Sequence, residues 1–287
     1  MSFKDQEGKK YTKEWLRSTK MNYDAMKKMS TDEVKKVELD LLITFDAFCK
    51  KHHLRYVLDG GTLIGAVRHQ GFIPWDDDID VVMPFPDFLK FVELYRKENS
   101  DKPIKLLYGP DDSYGFHYGK LVDRRTIVKS SFRQDKSLYS VWIDVFPMYS
   151  MDDDDDLAQA KIDKILHYYA KTWGCMCVNY RNPVKKLYHL LFNDRMLKYY
   201  MKKINGIMLE HTYGSTKRIR FAPVVSRKLC PAKNDHFDNR IKLEFEGYEF
   251  YAPKDYDAYL TGMYGDYMKL PPEEQRINHK IEAYWVK

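Results

Sequence analysis

The order of apolar and polar positions divides the chain into helical and strand-like segments. Ser30 and Glu33 form a capping-box pattern, which is typical of a helix N-terminus. Apolar residues then recur on one face of a predicted helix that ends near His53, namely Val34, Val37, Leu41, Phe45 and Phe48. Similar spacing predicts a helical turn at 62–68, helices over 88–97 and 157–172, and mostly helix from there to about residue 210.

Short apolar runs between these helices predict strands. Residues 56–58 and 78–83 are the clearest, and Pro84 and Pro86 end the second run. Weaker strand patterns lie at 104–108, 116–122, 126–131 and 140–146. No linker rich in Gly, Ser and Pro separates two bodies. We therefore predict an α/β (α+β) fold, with a core in residues 1–150 and a largely helical extension in residues 151–287, packed together as one compact unit.

Three aspartates at alternate positions follow a double glycine. Gly60-Gly61 ends an apolar strand, and Asp76, Asp78 and Asp80 come at the start of the next one. Because side chains alternate across a strand, all three carboxylates should project from one face. Clustered like charges are unfavourable unless a cation neutralises them, and such oxygen ligands suit Mg²⁺ or Mn²⁺. The pattern indicates a metal-dependent enzyme that acts on a diphosphate.

Three other interpretations of this stretch are weaker. A solvated acidic turn does not fit its apolar neighbours, which are Phe72, Ile73, Trp75, Ile79, Val81 and Val82. A calcium loop of the EF-hand type needs Gly and Glu where Val81 and Asp87 stand. The glycines match neither a P-loop nor a dinucleotide fingerprint.

A further carboxylate, Asp144, is the single charge in the apolar run Val-Trp-Ile-Asp-Val-Phe-Pro. Burial of a lone carboxylate is costly unless it is paired or binds a metal, so Asp144 could also form a salt bridge. Together with Asp78 and Asp80, it resembles the nucleotidyltransferase superfamily, whose mixed sheet carries such acids on adjacent strands. The resemblance implies a nucleotidyltransferase-like mixed sheet flanked by helices, although the gap from Gly61 to Asp78 is long for that superfamily.

Composition and charge limit the remaining classes. The 287 residues are 44% hydrophobic and include 23 tyrosines, which fits a folded globular protein. We expect reduced thiols at Cys49, Cys175, Cys177 and Cys230 and a cytoplasmic protein. We expect neither a cleaved secretion signal nor a transmembrane span, because no suitable apolar run occurs.

Two charged segments have alternative interpretations. Residues 183–208 form a basic amphipathic pattern, which suits either peripheral contact with the inner face of a membrane or packing on the core. No nucleic-acid-binding module accompanies the net charge of +6, so we do not expect a nucleic-acid partner. The five aspartates 152–156 precede a predicted helix, where capping is favoured over metal binding.

The motifs together resemble the LicD family, phosphocholine transferases that decorate bacterial cell-surface glycans. The resemblance spans about residues 34 to 285. Its most specific part is the segment from Gly60 to Asp80, and further motifs are Gly119-Lys120-Leu-Val-Asp123, Trp142-Ile-Asp144-Val-Phe-Pro147 and Tyr264-Gly-Asp-Tyr-Met-Lys-Leu-Pro-Pro272. The core motif also occurs in the fukutin-related group, which transfers ribitol phosphate, so the motif leaves the donor open.

The resemblance implies transfer of phosphocholine from CDP-choline to a sugar hydroxyl of a teichoic acid or lipopolysaccharide, with release of CMP. Asp78 and Asp80 would hold Mg²⁺, and Asp144 would complete the metal site or accept the hydroxyl proton, a role that Asp76 could share. Positions expected to bind the donor phosphates are Gly60, Gly61, Thr62, Arg68 and Lys120. An aromatic cage for choline is expected from Trp75, Tyr118 and Trp142. Two closing-motif residues expected near the site are Arg276 and His279.

Rival functions remain open from the sequence. Another alditol phosphate, such as ribitol or glycerol phosphate, could replace phosphocholine. A metal-dependent glycosyltransferase also uses paired aspartates on a nucleotide diphosphate, and a glycan- or lipid-binding protein could use the basic helix and tyrosines. The acceptor, lipid-linked or free, is equally open.

Overall fold

A computed structural model describes most of the chain, namely residues 2–4, 10–12, 23, 26–109, 116–129, 140–176, 183–222, 232–276 and 281–286. Strands and helices are numbered below in chain order. The strands of the central sheet are β4 (Val57–Leu58), β5 (Asp80–Pro84), β6 (Ile104–Leu107), β7 (Gly119–Asp123), β9 (Val141–Ser150) and β10 (Ile219–Phe221). Other strands are β1 (Ser2–Lys4), β2 (Lys10–Thr12), β3 (Lys27–Lys28), β8 (Thr126–Val128), β11 (Arg240–Phe245), β12 (Tyr248–Pro253) and β13 (Ala283–Trp285).

Seven helices lie in the described part of the chain; those up to residue 208 come in the predicted order, and the two after it were not predicted from the sequence. The seven helices are α1 (Thr31–Lys51), α2 (Gly60–His69), α3 (Phe85–Glu98), α4 (Asp155–Met176), α5 (Pro183–Met208), α6 (Asp235–Asp238) and α7 (Tyr256–Tyr264). A 3₁₀ turn covers Glu273–Gln275. The predicted α/β (α+β) class is therefore confirmed.

The central sheet is mixed and has six strands in the order β4-β5-β9-β7-β6, with β10 also paired to β9. Only the β5–β9 pair is parallel; the other pairings in this sheet are antiparallel. The long strand β9 pairs β7 over residues 141–145, β5 over residues 144–148 and β10 over residues 148–150. Because β10 follows residue 150, the predicted core and the predicted extension share one sheet.

Helix α1 covers the sheet with its apolar face. The capping box at its start is formed, since Ser30 Oγ accepts from the Glu33 N–H and the Glu33 carboxylate accepts from the Ser30 N–H. Buried residues recur along the face that packs against the sheet: Val34, Val37, Leu41, Leu42, Phe45, Phe48 and Cys49. The predicted helix is thus confirmed, and its amphipathic pattern explains its position.

The segment that leads to the acidic strand is held in place by a hairpin. Strands β11 and β12 pair antiparallel, and Glu246 at their turn has a positive φ of 53°. The Glu246 N–H donates to the carbonyl of Gln70, and its carboxylate accepts from the Phe72 N–H. This hairpin was not predicted from the sequence, and it fixes the loop between α2 and β5.

The aspartates before α4 cap this helix and also bind a neighbouring loop. Asp154 Oδ1 accepts from the Leu157 N–H at 3.0 Å, so the predicted helix cap is confirmed at this residue. Asp153 accepts from the backbone N–H groups of Lys217 and Arg218. Asp152 pairs with Lys161 at 2.6 Å. Most of the run therefore fastens the chain before β10 to the start of α4.

Helix α5 places its apolar side chains on the core. In the described half of this helix the buried residues are Leu197, Met201, Ile204 and Met208, whereas Arg195, Lys198, Lys202 and Lys203 are exposed. The side chains of Leu187, Leu190 and Leu191 lie outside the described residues. Within the described part of the chain, no helix has the length and apolar character that crossing a bilayer requires. Cys49 and Cys175 are buried free thiols.

We predict that Gly65→Ala destabilises the fold. A Cβ atom at Gly65 would overlap with the backbone carbonyl of Gly71, which the hairpin holds in place. The free energy of unfolding should fall by about 1–3 kcal/mol, the usual cost of overpacking. Urea unfolding measures this change, and Gly206→Ala on the exposed side of α5 is the control.

Nothing lies within 4 Å of a Cβ atom at Gly206. That control should gain about 0.5–1 kcal/mol, because alanine favours a helix more than glycine does. Equal effects of the two substitutions would contradict the packing that we describe at Gly65.

Candidate active site

The parallel pairing of β5 and β9 brings two of the predicted acids together. Asp80 and Asp144 are direct partners in the register of these strands. The Asp144 N–H donates to the carbonyl of Ile79 at 2.9 Å, which fixes the start of β5 against β9. The strand begins at Asp80, two residues later than the sequence pattern predicts, so Asp76 and Asp78 lie in the irregular segment that precedes it.

A lysine and a tryptophan hold the Asp144 carboxylate from the opposite side. Lys120 on β7 is the register partner of Asp144, and its Nζ lies 2.7 Å from Oδ1 and 3.0 Å from Oδ2. Trp142 Nε1 donates to Oδ2 at 3.0 Å. The interpretation of Asp144 as a salt-bridged acid is therefore confirmed, and this pairing coexists with its position beside Asp80.

Two aromatic rings enclose the same ammonium group. Lys120 Nζ lies 4.0 Å from the centroid of the Trp142 ring and 5.6 Å from that of Tyr118. Such distances are typical of cation–π contacts. Tyr118 and Trp142, two of the three residues predicted for a choline cage, thus already surround one cation.

The glycines at the start of α2 make room for carboxylates. Gly60 has φ +53°, and a Cβ atom there would lie 3.1 Å from Asp80 Oδ2. A Cβ atom at Gly61 would overlap with the carboxylate of Asp76. Both acids therefore lie at the N-terminal end of the helix, where its dipole and free N–H groups favour negative charge.

Thr62 and Asp59 fix the backbone of Asp80. The Asp80 N–H donates to Thr62 Oγ1 at 2.9 Å, and the Asp59 N–H donates to the Asp80 carbonyl at 3.1 Å. Thr62 is buried. Its hydroxyl therefore positions Asp80 in this structure, whereas the predicted contact with a donor phosphate stays a prediction. The Asp59 carboxylate is itself buried and accepts from the Tyr259 hydroxyl at 2.6 Å.

The electrostatic balance of the site is negative. Burial raises the pKa of Asp80 well above its ordinary value, and the charges of Asp78, Asp144 and Asp59 raise it further. Lys120 opposes this shift but does not cancel it. Burial also raises the pKa of Asp59. Several carboxylates thus share one lysine, and a bound cation would relieve their repulsion.

Carboxylate oxygens, the donor atoms at this site, are the type of ligand that a hard divalent cation prefers. Mg²⁺ is usually bound by one or two carboxylates, with waters and substrate phosphates as the other ligands. Asp78, Asp80 and Asp144 supply carboxylates of this kind. In the described residues, no group of three or more acid, histidine or cysteine side chains is placed so that it could hold a metal ion by itself. The arrangement suits a cation that binds together with a phosphorylated substrate.

Comparison with known proteins identifies the family of this chain. A sequence model of the family described as "LicD/FKTN/FKRP, nucleotidyltransferase domain" matches residues 53–199. A lipopolysaccharide cholinephosphotransferase LicD of Haemophilus influenzae is 31% identical over 283 residues, which cover 91% of this chain and 100% of the relative. The chain belongs to the LicD/FKTN/FKRP family.

Two shorter matches come from Rickettsia. An uncharacterized protein of Rickettsia typhi is 46% identical over 44 residues, which cover 15% of this chain and 14% of that protein. An uncharacterized protein of Rickettsia prowazekii is 58% identical over 31 residues, which cover 11% of this chain and 12% of that protein. The family model and the Haemophilus influenzae relative confirm the sequence resemblance to the LicD family.

Other residues predicted for the LicD-type site lie where α2 meets the closing motif. Arg68, in the last turn of α2, donates from Nη1 to the carbonyl of Tyr267, and burial lowers the pKa of its guanidinium. Arg276 lies 4.9 Å from the centroid of the Trp75 ring and donates to the carbonyl of Pro271. Their predicted roles toward substrate stay predictions. His279 lies outside the described residues.

Several residues near this LicD-type site were missed in the sequence. Glu38 on α1 is buried, and this burial raises the pKa of its carboxyl. The negative charges of Asp78, Asp77 and Asp76 raise that pKa further. The sequence could have indicated Glu38, because it is an acid at a core-facing position of an amphipathic helix. The Tyr264 hydroxyl lies 3.9 Å from the place that a Cβ atom of Gly60 would take. Sequence spacing could not reveal that contact.

We predict that Asp80→Asn weakens the pH dependence of stability in the cation-free protein. The pKa of Asp80 is higher in the folded than in the unfolded chain, so folding takes up a proton between the two values. The contribution of Asp80 to the free energy of unfolding is present at low pH, and it is lost as the pH rises through the pKa of Asp80 in the folded protein. The free energy of unfolding of the wild type, measured in EDTA, should thus fall more steeply than that of the variant.

Asp101→Asn, in an exposed loop, is the control and should keep the wild-type slope. A slope in Asp80→Asn equal to that of the wild type would show that the Asp80 carboxylate is not electrostatically stressed.

Proposed function

We propose that this protein is a phosphotransferase that moves phosphocholine from CDP-choline to a sugar hydroxyl of a cell-surface glycan and releases CMP. The observation that carries the proposal is the pairing of Asp80 with Asp144 across parallel strands in a member of the LicD/FKTN/FKRP family. The named activity of the Haemophilus influenzae relative supports the choice of phosphocholine and of a lipopolysaccharide-type acceptor.

Asp78, Asp80 and Asp144 would hold Mg²⁺, or Mn²⁺, in this proposal. Such a cation offsets the negative charge of a diphosphate and of the departing nucleotide. Asp144 would exchange part of its contact with Lys120 for the cation. Lys120, 2.7 Å from Asp144 in this structure, is then free to approach a phosphate oxygen.

The transfer forms one bond between the sugar oxygen and the choline phosphorus and breaks the bond from that phosphorus to the CMP oxygen. A carboxylate must accept the hydroxyl proton, and Asp76 and Asp144 are the candidates. Asp76 lies beside the start of α2, at Gly61. The N–H groups of Gly60 and Gly61 would bind phosphate oxygens at the same helix end.

The aromatic rings around Lys120 suit the choline head group. A trimethylammonium binds ring faces through the same cation–π attraction that Lys120 uses, worth on the order of 1–2 kcal/mol. We place the choline at Tyr118 and Trp142. Trp75 has its ring against Arg276, and it would join this cage only after that contact opens.

A lipid-linked acceptor would require the site to work near a membrane surface. The exposed lysines of α5, Lys198, Lys202 and Lys203, supply positive charge for an anionic surface, and Tyr199 is exposed among them. This peripheral contact at the inner face of the membrane is part of the proposal, as is a teichoic acid in place of a lipopolysaccharide.

We predict that CDP-choline raises the melting temperature in a way that depends on Mg²⁺. A ligand at about 100 times its dissociation constant adds about 2.7 kcal/mol of stability. The measurement is a thermal-shift panel of CDP-choline, CDP-ribitol, CDP-glycerol and UDP-sugars, each with and without Mg²⁺. A shift with CDP-ribitol or CDP-glycerol alone would keep the mechanism and change the transferred group.

A response to UDP-sugars and to no CDP compound would instead indicate a glycosyltransferase and overturn the proposal.

We predict that Asp78→Asn and Asp80→Asn each abolish release of CMP from CDP-choline, while the melting temperature stays nearly unchanged or rises. Each substitution removes a cation ligand and one of several repelling charges. CMP release with a glycan acceptor and the melting temperature are measured together. Asp101→Asn should retain wild-type turnover. Full activity in Asp78→Asn or Asp80→Asn would rule out the metal assignment.

A further inference from the structure

Tyr264, the last residue of α7, is half exposed and lies beside the acids of the candidate site. A Cβ atom at Gly60 would lie 3.1 Å from Asp80 Oδ2 and 3.9 Å from the Tyr264 hydroxyl. A carboxylate and a phenol therefore line the same space next to Gly60, although they come from segments that are far apart in sequence. Glycine leaves this space unfilled, which allows a ligand group to lie between the two oxygen atoms.

The end of α7 that carries Tyr264 is fixed to α2 at two points. Tyr259 is buried and its hydroxyl donates at 2.6 Å to Asp59, the residue directly before α2. Tyr267 is also buried, and its carbonyl accepts from the guanidinium of Arg68 in the last turn of α2. Because these contacts lie on either side of Tyr264 in the sequence, they hold its backbone at the site.

We propose that Tyr264 contacts the substrate, with its hydroxyl donating a hydrogen bond to a diphosphate oxygen of the nucleotide donor. This inference rests on the proposed function, in which Asp80 and the diphosphate share a cation. Neighbouring ligands of an octahedral Mg²⁺ lie about 3 Å apart, so a phosphate oxygen beside Asp80 comes within reach of the phenol. A phenol can donate its proton, and hydrogen bonds to an anionic oxygen are stronger than those between neutral groups.

The test compares the binding of CDP by Tyr264→Phe and by the wild type, measured by calorimetry in the presence of Mg²⁺. The substitution removes only the hydroxyl, so the affinity should fall about tenfold or more, the usual loss for a hydrogen bond to a charged group. The KM for CDP-choline, measured by CMP release, should rise by a similar factor. Tyr248→Phe on β12 is the matched control and should keep the wild-type values, because Tyr248 is 50% exposed and Tyr264 is 49% exposed.

Thermal unfolding separates a contact with substrate from a structural role of the hydroxyl. Without ligand, Tyr264→Phe should unfold at the wild-type temperature, and its melting temperature should rise less with CDP and Mg²⁺. A lower melting temperature without ligand, together with an unchanged affinity for CDP, would show that the hydroxyl stabilises the fold and would overturn the inference.

UDP, as a second nucleotide, separates this inference from the proposed function. The hydroxyl is expected at the diphosphate and not at the base, so whichever nucleotide the wild type binds should bind about tenfold more weakly to Tyr264→Phe. Binding of UDP but not of CDP would overturn the CDP donor, whereas a loss of UDP affinity in Tyr264→Phe would still support the contact. Equal affinities for CDP in Tyr264→Phe and the wild type would overturn the contact and leave the proposed function intact. Binding of neither nucleotide by the wild type would overturn both.

Discussion

The repulsion between carboxylates where the start of β5 lies beside β9 is the constraint on which the rest of this structure depends. Asp80 and Asp144 are register partners, with Asp78 and Asp59 close enough to raise the pKa of Asp80 further. Like charges in a partly buried place destabilise a fold unless something fixes or neutralises them. The elements around the site fix these carboxylates in place or partly neutralise them.

These elements act on the carboxylates through different interactions. Lys120 and Trp142 bind Asp144 directly, whereas Thr62 holds the backbone of Asp80. The glycines at the start of α2 let the carboxylates of Asp76 and Asp80 approach a positive helix end. The hairpin β11–β12 fastens the loop that precedes these acids, and the closing motif is joined to α2 through Arg68. The surrounding elements thus fix the positions of these acids and leave part of their charge unbalanced. This arrangement suits an enzyme that binds a cation together with its substrate.

Short-range sequence patterns predicted the elements that interactions between nearby residues stabilise. The capping box at Ser30 and Glu33, the apolar stripe of α1, the strand stop at Pro84 and the cap at Asp154 all depend on residues within one or two helical turns. The predicted alternation of Asp76, Asp78 and Asp80 along one strand does not apply as predicted, because the strand begins only at Asp80. The lone acid in an apolar strand left open whether Asp144 binds a metal or forms a salt bridge, and the structure shows the salt bridge with Lys120. The β11–β12 hairpin was missed although its two strands are adjacent in sequence. Its contact with the loop at 70–72 and the other functions of the aspartate run were missed because those partners are distant in sequence.

The sequence by itself determined the fold class, the family and the identity of the acids, since these depend on residue types at short, fixed spacings. Only the tertiary structure decided which strand lies beside which, and therefore that Asp80 faces Asp144 and that Lys120 binds the latter. It alone brought Tyr264 of α7 beside Gly60 and turned Arg68 toward Tyr267. The physical reason is that strand register and helix docking are fixed by the packing of the whole core, which short-range periodicity does not encode.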